Sequence, residues 1–505
     1  DKNRKVYMEF GIDYNRTFGL HKTTALILYN QSKYYSPSLQ YYVPNAYQGL
    51  VGRLTYEYAS RYLAEFNMGY NGTENFAKGK RFGFFPAVSL GWVISEEKFF
   101  PKNNIVKYLK VRGSYGEVGN DQIGGDRFLY LPSSYGAASD SGVNKYNFGL
   151  ASNPYTSLMI VENKIGNPDL TWEKAKKMNV GVDINLFNNC LTASFDIFKE
   201  KRNNILANRS TSPMIIGANL PAYNFGEMEN RGWEMDLNFR HHIQDFHYWA
   251  RFNYSFARNE IIYMDEVQKR YDYQMTTGRR KNQFFGLIFD GYYNSWEEIN
   301  ALDRPKSSWS GNQLQPGDVK YVDVNQDGVI DDYDMVPIGY TPVPEIIYGF
   351  SFGAQYKGFD FSILFQGADN VSIKYFGRSM WPFAKGEESA KSLIKERWTQ
   401  ERYEAGEKIT FPRLSLNPNG ETDHNYRPST LWIRDASYLR LKNLEVGYTF
   451  TGGFVKRLNL NSVRLYFNGS NLFTWTDVVD LDPEAPSRSG NVEINTYTLQ
   501  KVYNF

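Results

Sequence analysis

This chain of 505 residues has little of what marks a soluble enzyme or a disulfide-built fold. Its single cysteine, Cys190, excludes any disulfide within the chain. Its five histidines (His21, His241, His242, His247 and His424) are scattered and form no transition-metal constellation. Charge of one sign is also missing: 57 Lys and Arg face 55 Asp and Glu, for a net +2, which gives no case for nucleic acid. There is no apolar run of about 20 residues that could cross a bilayer as a helix. The opening DKNRKVYMEFG shows no secretory leader pattern and is already close to strand alternation. No nucleophile–base pair or phosphate loop stands out, so catalysis is not expected.

Aromatic residues are what the chain has in excess: 39 Tyr, 35 Phe and 10 Trp. Many segments alternate strictly. Ile346, Tyr348, Phe350, Phe352, Ala354 and Tyr356 share one parity, and Ser351, Gly353 and Gln355 the other. After Lys357-Gly358, Phe359, Phe361, Ile363 and Phe365 alternate with Asp360, Ser362 and Gln366. Met178–Leu186 and Leu191–Ile197 repeat the pattern across Asn188-Asn189. A period of two predicts strands with one apolar and one polar face. Segments of ten or more residues exceed the usual soluble strand of about 5–6. They fit the wall of an outer-membrane β-barrel, whose alternation keeps mean hydropathy low, here −0.54. A passive porin or a soluble secreted glycan-binding β-protein are the competing classes.

The strands come in pairs with short turns, separated by long polar segments at Asn120–Trp172, Asp265–Asn282, Asn294–Pro344, Lys374–Ser437 and Thr476–Asn495. Short periplasmic turns and long outer loops give the direction of each pass. Two further passes are expected at Phe284–Tyr293 and Val319–Val324, for about seventeen strands in all. An odd number predicts an incomplete barrel, broken in an outer loop.

Several stretches, in order, resemble the C-terminal barrel portion of the SusC/RagA family of TonB-dependent outer-membrane transporters of Bacteroidetes. They are Gly52–Phe100, Leu109–Asn120, NPDLTWEKAKKMNVGVD (Asn167–Asp183), NFGEMENRGWEMDL (Asn224–Leu237), Phe284–Ile299, PGDVKYVDVNQDGVIDD from Pro316, SYLRLKNLEVGYTF (Ser437–Phe450), GSNLFTWT (Gly469–Thr476) and LDPEAP (Leu481–Pro486). The resemblance implies the all-β, antiparallel C-terminal part of a plugged barrel of about 22 strands. Residues 1–505 would hold barrel and long extracellular loops. The plug, the TonB-binding segment and about five first strands would belong to a companion N-terminal chain. It implies TonB-coupled import of nutrients, mainly oligosaccharides with peptides as the alternative. The implied partners are a SusD-like surface lipoprotein, TonB through the N-terminal part, outer-membrane lipid, and a second transporter–lipoprotein pair in a dimer.

The acidic loop has the spacing of a calcium site. Asp323, Asn325, Asp327, the Val329 carbonyl, Asp331 and Asp334 occupy the ligand positions of an EF-type loop, and Gly328 the sharp turn. Ca2+ there would be structural; the competing reading is a set of Asx turns without an ion. At the C-terminus Tyr497, Leu499, Tyr503 and Phe505 alternate, as in a barrel-assembly signal. Glu387–Arg402 is expected to be helical, with Ala390, Leu393, Ile394 and Trp398 on one face. Trp296, Trp309, Trp381 and Trp398 fall in outer loops, where rings stack on sugars or simply pack; no ligand-contacting residue is assigned.

Overall fold

Alternation makes the strands, and the short turns set their register. The structure, a computed structural model, describes all residues except 1–2, 38, 40–42, 123–126, 132–135, 138–144, 151–154, 159, 162–164, 212–219, 310–313, 376–380, 384–391, 416–422, 479–480, 485–490 and 493–498. Among the described residues the main sheet holds fifteen strands in sequence order. They are β1 (Arg4–Phe18), β2 (His21–Tyr35), β3 (Asn45–Tyr58), β4 (Tyr62–Thr73), β5 (Phe82–Val93), β6 (Val106–Asn120), β7 (Glu173–Leu186), β8 (Leu191–Ala207), β9 (Tyr223–Ile243), β10 (Phe246–Tyr263), β11 (Ile346–Tyr356), β12 (Phe359–Asp369), β13 (Tyr438–Phe450), β14 (Val463–Thr476) and β15 (Val502–Asn504). Asn188 and Asn189 lie at φ +56° and +68°, and Lys357 and Gly358 at +45° and +92°, the left-handed backbone that tight reversals need.

Two expected passes are corrected. β10 pairs directly with β11, with Phe256 opposite Ile346, so neither Phe284–Tyr293 nor Val319–Val324 enters the main sheet. Phe289–Tyr292 pairs instead with Val319–Tyr321. Both alternate as strands do, but they are short, and Tyr292, Val319 and Tyr321 are buried among the loops with Phe289 packed against them.

The chain divides into two compact units. The first comprises Asp1–Ile184, Asp196–Arg231 and Asn259–Val267. Its loop-side core is Phe76, Phe85, Leu129, Leu170 and Trp172. The NPDLTW motif is therefore a packing motif: Leu170 is fully buried and Trp172 Nε1 donates to the Arg81 carbonyl at 3.1 Å. The second comprises Asn185–Phe195, Gly232–Arg258 and Gln268–Phe505. Its long connections share a core of Leu287, Val319, Ile330, Ile373, Trp398, Phe411, Tyr426 and Trp432. Long loops are thus folded around apolar residues, as their length alone would not suggest.

The helix expected over Glu387–Arg402 is only partly within the described residues. Ser392–Glu396 is a 3-10 turn, and the α-helix begins later, at Gln400–Glu404, capped by the Thr399 hydroxyl. Ile394 and Trp398 do face the core; Ala390 lies outside the described residues.

Candidate functional site

The register sorts the wall into two faces. In the first unit Leu54, Phe66 and Val88 stand opposite one another on β3, β4 and β5, as do Leu50, Tyr70 and Phe84. Val6, Met8, Phe10, Ile12 and Tyr14 continue this face on β1, and all are exposed. A face of exposed apolar residues this large is a lipid-facing surface. Aromatic residues close it at both ends. Tyr70 and Phe82 stack with centroids 5.0 Å apart, and at the other end Trp92, Tyr62 and Tyr58 align. Phe82 to Trp92 spans about 33 Å of strand, or roughly 25 Å of height at a barrel tilt. That matches the apolar band of an outer membrane.

The opposite face is ionic. Arg112 on β6 forks onto Asp196 at 2.6 and 2.7 Å and reaches Asp183 at 3.1 Å. In the second unit Arg464 on β14 bridges Asp360 at 3.1 Å and Glu445 at 2.6 Å, and Asn468 joins Glu445 at 3.0 Å. A glycine makes room in each case. A Cβ on Gly181 would lie 2.6 Å from Asp196 and 2.7 Å from Arg112. On Gly447 it would lie 2.6 Å from Asp360 and 2.7 Å from Arg464. Such networks suit a watery interior that small solutes or another domain can contact. The polar parity of these residues was readable in the sequence, but which carboxylate meets which arginine was not.

Two further ion clusters, not foreseen from the sequence, tie strands to loops. Arg440 on β13 is 2 % exposed and held by Asp482 at 2.8 Å and Glu484 at 2.5 Å. The LDPEAP motif thus supplies counter-charges for a buried arginine. Glu345 takes Arg258 at 2.8 Å, Arg280, and the Asn370 amide at 3.2 Å. Burial alone would push the Glu345 carboxyl up, but the two guanidiniums outweigh it and hold the carboxyl below its ordinary value.

The acidic loop is closely turned, with Gln326 at φ +59° and Gly328 at +82°. Its oxygens mostly accept backbone N–H groups. Asp323 takes Gly328, Asn325 takes Asp327, Asp327 takes Val329, and Asp331 takes Tyr333, at 2.7–2.9 Å. Asp334 is fully buried and accepts from Val324, Asn325 and Asp331; burial pushes its carboxyl up. Among the described residues no three carboxylates, histidines or cysteines converge as a metal site. One observation fits an ion: Asp323 Oδ1 is buried and has no hydrogen-bond partner. Asp323, Asn325, Asp327 and the Val329 carbonyl would be its first donors, while Asp331 and Asp334 hold the loop's own backbone.

Of the loop tryptophans, Trp398 is buried, Trp381 packs on Tyr426, and Trp309 lies under the Arg427 guanidinium at 4.1 Å. Trp296 is exposed. At the C-terminus Tyr503 stands opposite Gly469 on the lipid-facing parity, and Phe505 packs on Phe467 at 5.3 Å. Leu499 is exposed, and Tyr497 lies outside the described residues.

A fifteen-stranded antiparallel sheet with a lipid face, aromatic ends and an ionic opposite face agrees with the comparisons to known proteins. Residues 3–472 match the family profile "TonB dependent receptor-like, beta-barrel". The chain belongs to this TonB-dependent receptor β-barrel family. It is 29% identical over 450 residues to TonB-dependent receptor P3 of Formosa agariphila, covering 87% of this chain and 42% of that protein. It is 28% identical over 463 residues to TonB-dependent receptor SusC of Bacteroides thetaiotaomicron, covering 90% and 43%. The chain thus spans less than half the length of these relatives. Its fold matches the structure of the RagAB peptide transporter with a TM-score of 0.75 at 22% identity, over 99% of this chain and 55% of that one. The chain is part of an outer-membrane β-barrel of the TonB-dependent receptor family.

Proposed function

We propose that this chain forms most of the barrel wall and the outer loops of a TonB-coupled importer. The observation that carries this is the family match over residues 3–472 together with the two-faced wall. A plug, a TonB-binding segment and the first strands would come from an N-terminal part or companion chain. Among the described residues β1 pairs with β2 alone, which supports that arrangement, because an open strand edge in lipid costs several kcal/mol per unpaired group. The ionic face would line the lumen and meet the plug. A SusD-like lipoprotein would lid the loop body, as a dimer of such pairs. Oligosaccharides are the proposed cargo; peptides are the second reading, favoured by the peptide transporter among the fold neighbours.

Uptake of labelled oligosaccharides and of labelled peptides, with and without a proton uncoupler, tests this. Uncoupler-sensitive uptake lost on deletion supports the importer, and the label that enters names the cargo class. Uptake that survives the uncoupler, with swelling of liposomes carrying the purified protein, would establish a passive porin instead. Mass analysis of the purified complex should show the plug-bearing part and a lipoprotein.

We also propose a structural divalent ion in the Asp323–Asp334 loop, supported by the orphaned Asp323 oxygen. Calcium titration should show one saturable event that Asp327→Ala removes. A flat titration of the native protein would leave the Asx turns as the whole account.

A further inference from the structure

A cavity of about 510 Å³ opens in the first unit, lined by Arg4, Val6, Lys33, Tyr35, Arg81 and Phe82 among others. The register sorts its lining. Arg4 stands opposite Tyr35, and Val6 opposite Lys33. Counting by twos from Arg4 leads down β1 through Val6, Met8, Phe10 and Ile12, all exposed. Arg4, Val6, Lys33, Tyr35 and Phe82 therefore continue the lipid-facing ladder, while Ser32, Tyr47 and Thr73 of the lining stand on the opposite parity. The cavity's depth is fixed as well. Phe82, stacked on Tyr70, marks the aromatic end of the band on the side of the long connections. Long connections mark the outer side of such a wall.

Its charge is positive. The Arg4 guanidinium lies 4.8 Å from the Tyr35 ring centroid and the Lys33 ammonium 5.4 Å from it, so one ring carries two cations. Arg81 donates its Nε to the Phe76 carbonyl and adds a third cation to the lining. Among the described lining residues Glu74 is the one carboxylate, and Arg127 neutralises it at 2.8 Å. Two cations on one ring repel each other at the edge of an apolar band. A dianionic group between them removes that repulsion and adds charge-assisted hydrogen bonds.

We propose that this cavity binds the phosphate of a phosphorylated lipid headgroup in the outer leaflet. The acyl chains lie along Val6, Met8 and Phe10. Free phosphate shares the headgroup's chemistry, but only a lipid also uses the apolar ladder beneath the cations. A sugar or peptide cargo travelling through the lumen would meet the other face of the sheet. The inference rests on the outer-membrane placement and on long loops facing outwards.

The test uses the native complex, extracted in mild detergent and reconstituted with lipid A carrying two phosphates, one or none. Retained lipid is counted by native mass spectrometry. Wild type should hold the diphosphorylated form, and excess inorganic phosphate should not displace it. The Arg4→Gln/Lys33→Gln variant should lose about tenfold in retention. Arg4→Lys/Lys33→Arg should restore most of it, and Lys5→Gln, on the opposite parity, should change nothing. Equal retention by wild type and the double Gln variant would overturn the proposal. So would equal retention of the dephosphorylated lipid, and displacement by inorganic phosphate would reassign the cavity to a free anion. Membrane fractionation of each variant separates the two failures. A protein absent from the outer membrane overturns the placement itself, whereas one present there without selective retention overturns the lipid site alone.

Discussion

On the lipid parity of strands β11 to β14 large apolar residues stand exposed: Phe350, Phe359, Val446 and Leu465 are 42, 60, 44 and 63 % exposed. The connections after β10 and β12 instead gather large apolar residues into a buried core: Leu287, Phe411, Tyr426 and Trp432 are at most 3 % exposed. One chain thus follows two solvents. The wall turns its apolar parity to lipid and satisfies its polar parity by cross-strand ion pairs. The loop body hides its apolar residues as a water-soluble domain does. Changes in the two regions should therefore fail in different ways.

The largest effect is expected where the two regions meet. Arg440 belongs to the wall, but its counter-charges Asp482 and Glu484 come from a loop. Arg440→Ala leaves the buried Asp482 carboxylate without a cation, while Glu484 keeps Lys442 at 3.2 Å, at a cost of about 3–5 kcal/mol. Heat-modifiable gel mobility should show a lowered unfolding temperature. An unchanged mobility profile would mean that the cluster is open to water.

Next comes the wall itself. Phe350→Arg places a charge on the lipid parity and should cost about 2–4 kcal/mol near the midplane. Ser351→Arg, one residue on, points to the polar face and should cost far less. Spin labels at the two positions should show opposite access to lipid and aqueous quenchers. Equal penalties would erase the distinction between faces.

This distinction was legible in the sequence because period two is a local signal. Phe350 and Ser351 could be assigned without knowing their neighbours. The loop body was not legible, and the misplaced passes show why. Phe289–Tyr292 and Val319–Tyr321 do form strands and do pair, but alternation says nothing about which sheet a strand joins. Membership in the loop core is set by contacts such as that of Val319 with Asn425, far apart in the chain. The same holds for the ion clusters. Asp482 and Arg440 each look like ordinary polar residues until the fold brings them together. The acidic loop lies between these cases: its turn is local and foreseeable, and its use of oxygens on its own N–H groups is not.

A smaller, local effect is expected there. Asp334→Ala removes the acceptor of three backbone N–H groups in a buried site and should cost about 1–3 kcal/mol. Hydrogen exchange should quicken at Val324 and Asp331 while the wall amides keep their protection. Loosening that spreads into β11 would show that loop and wall fold as one cooperative unit.

The mildest test uses pH, which should act on the loop body and spare the wall. His424 is half-buried between Ser307, whose hydroxyl meets Nδ1 at 2.9 Å, and the Val319 carbonyl, which meets Nε2 at 2.8 Å. Its ring lies 5.2 Å from that of Tyr321. Desolvation lowers its pKa below the ordinary value; the hydrogen bond to the Val319 carbonyl, Asp318 and Asp423 pull it back up, and Arg427 adds to the lowering. The unfolded chain therefore takes up a proton, near pH 6.5, before the folded one does. The stabilising contribution is fully present above that value and is lost as pH falls towards the folded pKa. Mild acid should make the connections around His424 more sensitive to protease, while the strand pairs keep their protection. His424→Gln, which keeps a donor for the Val319 carbonyl and cannot take up a proton in this range, should flatten the profile. A profile that stays as steep in the variant would assign the acid response to another group. Strand pairs that loosen together with the connections would show that wall and loop body do not fail separately.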